Sequence, residues 1–302
     1  RERLSNMATR KSARPKKSTE PAAKRAAPRA SKADEYGRKP FKGVIKLDVR
    51  DSRPDWGPYT PPKAPKGSPN ILIVMYDDTG LAAWSPYGGR IKMPTLDRLA
   101  KNGLTYTQWH TVALCSPTRS TFMTGRNHHL NGCAAITEAA TGFPGGNGRI
   151  PDQCATIGSL LQDAGWSTFW LGKNHNVPEQ DVAPGASRKE WPLSKGFDRY
   201  YGFLGGETNQ WYPDLVQDST FIEQEYGPED GYHLSKDLVD KAIGMIKDQK
   251  ASNPSKPWYT WLCFGANHAP HHAPQEYIDK YKGMFDDGYE AYREWVLAKM
   301  IE

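Results

Sequence analysis

The chain has 302 residues, enough to bury a sizeable core as one large domain or two ordinary ones. Its 10 Trp and 15 Tyr suit a globular protein, while Cys115, Cys133, Cys154 and Cys263 lack the spacing of a disulfide framework, which argues for a reducing, cytoplasmic setting. The net charge of +6 belongs to one end: residues 1–39 hold 13 Lys or Arg against 4 acids, a local +9, so the remainder carries −3.

Residues 1–40 are largely Lys, Arg, Ala, Pro and Ser. They have almost nothing to bury and cannot offset their ordering entropy, so a disordered basic tail is expected. From Arg10 through Lys32 no aromatics are interleaved with the basic residues for base stacking, which disfavours a nucleic-acid partner. The tail lacks the apolar core of a secretory signal, and the longest strongly apolar run, Ile71 to Tyr76, is far too short to cross a bilayer. Residues 41–69 are rich in Pro and Gly and read as an arm or linker.

Asn70-Ile71-Leu72-Ile73-Val74-Met75-Tyr76 is a continuous apolar run, expected to form a central strand covered on both faces. It ends in Asp77-Asp78, and ligands of open α/β sheets bind beyond the carboxyl ends of strands. Two adjacent acids repel unless a cation or solvent separates them. Hard divalent cations take several oxygen ligands, although a solvated turn accounts for such a pair taken alone.

Pro94, Leu96, Leu99 and Gly103 mark a short amphipathic helix, and Leu104 to Thr111 reads as a strand leading out of it. Cys115-Ser116-Pro117-Thr118-Arg119 turns a loop into a helix, Pro117 suiting the first helical position. Cys115 is thus expected just ahead of a helix N-terminus, where free N–H groups and the dipole favour anions, with Arg119 one turn in. Thr141 to Ile150 is a Gly-rich loop without the strand-then-helix setting of a phosphate-binding loop.

Thr156 to Ala164 is helical by spacing with Gly165 as its stop, and Ser167 to Leu171 is the next strand, giving a βαβ alternation. That strand ends in Gly172-Lys173-Asn174-His175, a Lys and a His that could both reach an anion pocket. Leu234 to Lys250 is an amphipathic helix, and Pro257 to Phe264 is an aromatic, buried strand. His268, His271 and His272 follow it. Their spacing could suggest zinc, but Pro270 and Pro274 disfavour the helix on which such ligands usually sit. Tyr289 to Glu302 reads as a last helix.

Cys115-Ser116-Pro117-Thr118-Arg119 with Thr124-Gly125-Arg126 closely resembles the signature of the sulfatase family. Asp77-Asp78, Gly172-Lys173-Asn174-His175 (Asn174 standing where Trp is common), Gly196 to Phe203 and His268 fit as well. The resemblance covers about residues 70–285. It implies an α/β fold with a mainly parallel central sheet sandwiched by helices, of which residues 70–302 form the N-terminal part. In the family an Asp-Asn pair and a second Lys lie well downstream, and this chain contains no Asp-Asn dipeptide.

The resemblance further implies that a formylglycine-generating enzyme oxidises Cys115 to formylglycine. Asp77 and Asp78 with residue 115 would then hold a divalent metal, Ca²⁺ or else Mg²⁺. Arg119, Lys173, His175 and His268 would join residue 115 in cleaving a small-molecule sulfate monoester, with His268 as general acid and His175 as base. Two alternatives stand beside this: related formylglycine enzymes cleave phosphonate monoesters or phosphodiesters, and the chain could be a non-catalytic fragment or a basic-tailed binding protein.

Overall fold

The computed structural model describes residues 39–301, so the expected basic tail lies almost wholly outside the described residues. The chain divides into two compact units at Thr60 and Pro61. In the first, Val44 and Arg53 exchange two backbone hydrogen bonds across an isolated bridge, around a short 3₁₀ turn at Val49–Asp51.

The second unit is built on one six-stranded sheet: β1 (Ile71–Met75), β2 (Ser167–Lys173), β3 (Arg199–Phe203), β4 (Leu215–Gln217), β5 (Thr220–Ile222) and β6 (Trp258–Cys263). The order is β1-β6-β2-β3-β4-β5, with β1, β6, β2 and β3 parallel and β4 and β5 added antiparallel at one side. The helices are α1 (Pro94–Asn102), α2 (Cys115–Thr124), α3 (Ile157–Asp163), α4 (Leu234–Ser252), α5 (Gln275–Tyr281) and α6 (Gly288–Ile301).

Side chains alternate across each strand, so the sheet sorts its apolar residues into two cores. Trp170, Tyr200, Tyr259 and Trp261 face α2 and α3, packing with Met123, Ile157 and Leu161, and Trp170 stacks on Trp261 at 4.4 Å. Phe169, Leu171, Tyr201, Phe203 and Leu262 face α4 and meet Leu234, Leu238, Ala242 and Met245. Those four recur at the spacing of one helical face, which is why the stretch folds as a helix against the sheet. All seven β2 residues are buried, as expected of a strand covered on both sides. Thr156 caps α3: its hydroxyl accepts from Ser159 N while Ser159 Oγ accepts from Thr156 N.

Three expectations change. β1 is an edge strand among the described residues, and Leu72 and Val74 remain 52% and 41% exposed. They share the face of Leu262 through the β1–β6 register, but α4 packs mainly on β2, β6 and β3. Leu104 to Thr111 is not a strand; Leu104, Tyr106 and Trp109 are exposed and no sheet edge pairs with the segment. Finally α2 begins at Cys115 itself, with Pro117 in its third position. Proline is accommodated there because the first helical N–H groups have no intrahelical partner.

Gly172 carries the tightest packing requirement. Its φ is +89°, and a Cβ would collide with the Cys263 carbonyl of the adjacent strand. Gly172→Ala should therefore cost more than the ~1 kcal/mol of an ordinary glycine replacement, read as a lowered urea midpoint. An unchanged midpoint would contradict this packing.

Candidate active site

Parallel pairing puts the carboxyl ends of β1, β6 and β2 along one edge, with Met75, Cys263 and Gly172 aligned in one row. Beyond that row the chain emerges as Asp77-Asp78 from β1, Lys173 to Asn176 from β2, and Gly265 to His268 from β6. The edge is where open α/β sheets place ligands.

Asp77, Arg119 and Lys173 meet in direct contact. Lys173 Nζ lies 2.5 Å from Asp77 Oδ2, Arg119 Nη2 lies 3.4 Å from Asp77 Oδ1, and Arg119 Nη1 donates to the Lys173 carbonyl at 3.0 Å. The side chains are only 5%, 2% and 0% exposed for Asp77, Arg119 and Lys173. One carboxylate thus faces two cations, leaving a buried excess of positive charge. The Cys263 thiol interacts with Arg119, yet burial pushes its pKa up to about 12, so it stays neutral and adds no compensating charge. An excess positive charge in a poorly solvated place attracts an anion.

α2 carries Arg119 inward, and Cys115, a half-buried free thiol, opens the helix one turn earlier. Asn176 Nδ2 donates to the Ser116 carbonyl at 3.0 Å, tying the helix start to the chain leaving β2. Ser116 Oγ and Asn176 Oδ1 are buried without a partner, so polar capacity is left over beside residue 115.

His175 does not join the triad directly. Its Nε2 lies 2.9 and 3.0 Å from the two Glu138 carboxylate oxygens. Burial lowers the His175 pKa from 6.5, with further lowering by Lys173 and Arg119 and opposition from Glu138. A neutral buried imidazole becomes a proton acceptor on unfolding, so the unfolded state binds more protons below about pH 6.5 and stability falls as pH falls through that range. Urea midpoints should accordingly drop between pH 7 and pH 5.5, and drop less in His175→Gln; an equal drop in both would exclude this contribution.

His268 is paired with the exposed Asp78: Nε2 is 3.6 Å from Asp78 Oδ2, and Nδ1 is 3.7 Å from Glu207 Oε2. Thr79 Oγ1 donates to Asn267 Oδ1 at 2.6 Å, closing the β1 loop onto the β6 loop. Glu138, Asn176, Glu207 and Asn267 were not singled out from the sequence. Asn176 adjoins the Lys-x-His element and could have been found there, but Glu138 lies in a short 3₁₀ turn with no motif of its own. The exposed His271 ring lies on the Asn267 carbonyl at 2.8 Å, and the His272 ring nitrogen Nδ1 accepts from Gln210 N at 3.4 Å, so both rings are engaged apart from the Asp78–His268 pair.

Adjacent carboxylates with a side-chain amide oxygen nearby suit a hard divalent cation by donor chemistry. Among the described residues no three His, Cys, Asp or Glu converge to enclose one, and both Asp77 oxygens already face Lys173 and Arg119.

Paired carboxylates, buried cations and imidazoles thus gather at the carboxyl edge of the parallel strands of an α/β sheet. The chain belongs to the sulfatase family, whose model matches residues 69–300. It is 30% identical to an arylsulfatase of Klebsiella aerogenes over 75% of this chain and 49% of that protein, and 29% identical to an uncharacterised sulfatase of Schizosaccharomyces pombe over 77% and 44%. Among solved structures, a complex with D-glucosamine-2-N,6-O-disulfate, named there as substrate, matches with TM-score 0.55 and 27% identity over 72% of this chain and 38% of that one. A complex with k-i-k-neocarrahexaose matches at TM-score 0.60, 22% identity and 77% and 54% coverage, a likeness of fold. The chain spans about half the length of these relatives or less. No helix among the described residues is long and apolar enough to cross a membrane.

Proposed function

We propose that this chain is the N-terminal part of an arylsulfatase-like hydrolase of sulfate monoesters, with Cys115 converted to formylglycine by a formylglycine-generating enzyme. The observation that carries the reading is the buried Asp77–Arg119–Lys173 cluster, with Arg119 one turn into the helix that Cys115 opens. Asp77, Asp78 and residue 115 would hold a divalent cation, Ca²⁺ for its tolerance of irregular shells or else Mg²⁺, supplying positive charge for the sulfuryl oxygens and for a deprotonated nucleophile. A hydrated formylglycine at 115 supplies two hydroxyls, one to attack sulfur and one to allow sulfate to be released with return of the aldehyde.

Arg119 and Lys173 hold the sulfuryl group and offset charge that grows in the transition state. His268 donates a proton to the leaving oxygen and His175 accepts one from residue 115. Residues 1–40 are assigned to a basic tail, 41–69 to an arm, and 70–302 to the catalytic portion. Four free cysteines suit a reducing, cytoplasmic setting.

The test is peptide mass spectrometry after coexpression with a formylglycine-generating enzyme, together with hydrolysis of 4-nitrophenyl sulfate and an aryl phosphonate monoester. Aldehyde at 115 and preference for the sulfate ester are expected; unmodified thiol throughout, or preference for the phosphonate, contradicts the reading. Arg119→Ala, where circular dichroism shows it folded, should lose about 10²–10³ in kcat on the sulfate ester. Wild-type turnover would remove Arg119 from the site.

A further inference from the structure

One group at this edge has a partner that the functional reading does not use. His175 leaves β2 with φ +57°, and its backbone N–H donates to the Leu204 carbonyl at 3.0 Å. That bond brings the segment after β3 over the imidazole. Gly206 lies so close that a Cβ there would meet His175 Cε1 at 2.7 Å, Nε2 at 2.8 Å and Glu138 Oε1 at 3.1 Å. The glycine leaves room for an imidazole–carboxylate pair whose two ends come from sites 37 residues apart in sequence.

The pair has a definite proton arrangement. Glu138 would be raised by burial, but the hydrogen bond from His175 and its neighbours outweigh that and hold its carboxyl below the usual range. An ionised carboxylate can only accept, so Nε2 of His175 must carry the hydrogen. Nδ1 is then the nitrogen with the lone pair, and it is buried with no partner in the protein. A buried, unpaired acceptor is costly to leave unmade, which marks it as reserved for a proton that arrives with a ligand.

We propose that Glu138 is a positioning residue: it takes the Nε2 hydrogen of His175, fixes the imidazole in the tautomer with a bare Nδ1, and so presets the base of the reaction. The inference rests on the sulfatase reading for its catalytic consequence and on the structure alone for the tautomer. The side chain of Glu138 is 44% exposed while that of His175 is 4% exposed, so the carboxylate lies at the rim and works only through the ring. The charged groups acting on that ring are Glu138 from its 3₁₀ turn, Lys173 from β2 and Arg119 from α2. Of these only Glu138 favours the protonated form.

Two readouts separate this inference from the sulfatase reading. The first is ¹⁵N spectroscopy of histidine-labelled full chain, the His175 signals being assigned by their loss in His175→Gln. At pH 7 the wild type should show Nε2 protonated and Nδ1 bare. Glu138→Gln should keep that tautomer through its amide oxygen, while Glu138→Ala and Gly206→Ala should give a mixture. The second is turnover of 4-nitrophenyl sulfate: Glu138→Ala should lower kcat by about 10–100-fold with little change in KM, the usual cost of losing an orienting partner, and Glu138→Gln should recover most of it. With the carboxylate gone, the acid limb of kcat should shift to lower pH in both Glu138 variants. A wild-type tautomer in Glu138→Ala overturns the proposal whether or not the chain turns over sulfate, and so does unaltered kcat in an active preparation.

Discussion

Cys115→Ser should abolish multiple turnover of an aryl sulfate, by about 10³-fold or more, while the fold is retained. Serine keeps one hydroxyl at the helix mouth, so transfer of the sulfuryl group to residue 115 remains chemically open. It lacks the second hydroxyl needed to release sulfate, and the ester on residue 115 should therefore accumulate to one per chain. Intact-mass measurement after incubation with 4-nitrophenyl sulfate should show the added SO₃ group, located on residue 115 by peptide mapping. Steady turnover by this variant at the wild-type rate would remove residue 115 from the chemistry.

Asp77→Ala should produce a large stability loss. The side chain is the shared partner of two cations that are 2% and 0% exposed, so its removal strands Arg119 and Lys173 in the interior. Breaking a buried pair by deleting one partner costs about 3–5 kcal/mol, because the desolvation penalty of the surviving charge is no longer offset. Urea unfolding should show the loss as a lower midpoint, and activity should vanish with it. Adding Lys173→Met to Asp77→Ala removes one stranded charge and should restore part of the midpoint, a non-additivity expected only if the two side chains are coupled. Equal midpoints for wild type and Asp77→Ala would show that the cluster does not hold the sheet edge together.

The placement of much of the candidate site was legible because its residues leave strands of one parallel sheet. An apolar run ending in Asp77-Asp78 and a βαβ pattern ending in Lys173-Asn174-His175 already imply a common edge, and the helix begun by Cys115 points Arg119 at it. The structure brings Asp77, Arg119 and Lys173 into contact and sets Asp78 beside His268. Less legible was anything decided by long-range packing. Ile71 to Met75 reads as a strand with two covered faces, but coverage depends on where α4 lies, and Leu72 and Val74 are left exposed. Leu104 to Thr111 has strand-like residues but no strand paired with it among the described residues, so its propensity goes unused. Pro117 tolerates any position in the first turn, which made the helix start uncertain by two residues. Glu138 was invisible because nothing in the Thr-Glu-Ala turn signals that an imidazole 37 residues later will meet it.

In the proposed site one anion is gripped jointly by residue 115, Arg119, Lys173 and His268. The most direct measurement is a crystal structure of Cys115→Ser exposed to 4-nitrophenyl sulfate. A sulfuryl group on or against the residue 115 oxygen, within hydrogen-bonding reach of the Lys173 ammonium and the His268 ring, is predicted. A sulfuryl group bound at saturating ester in a different cavity, with this edge empty, would contradict it.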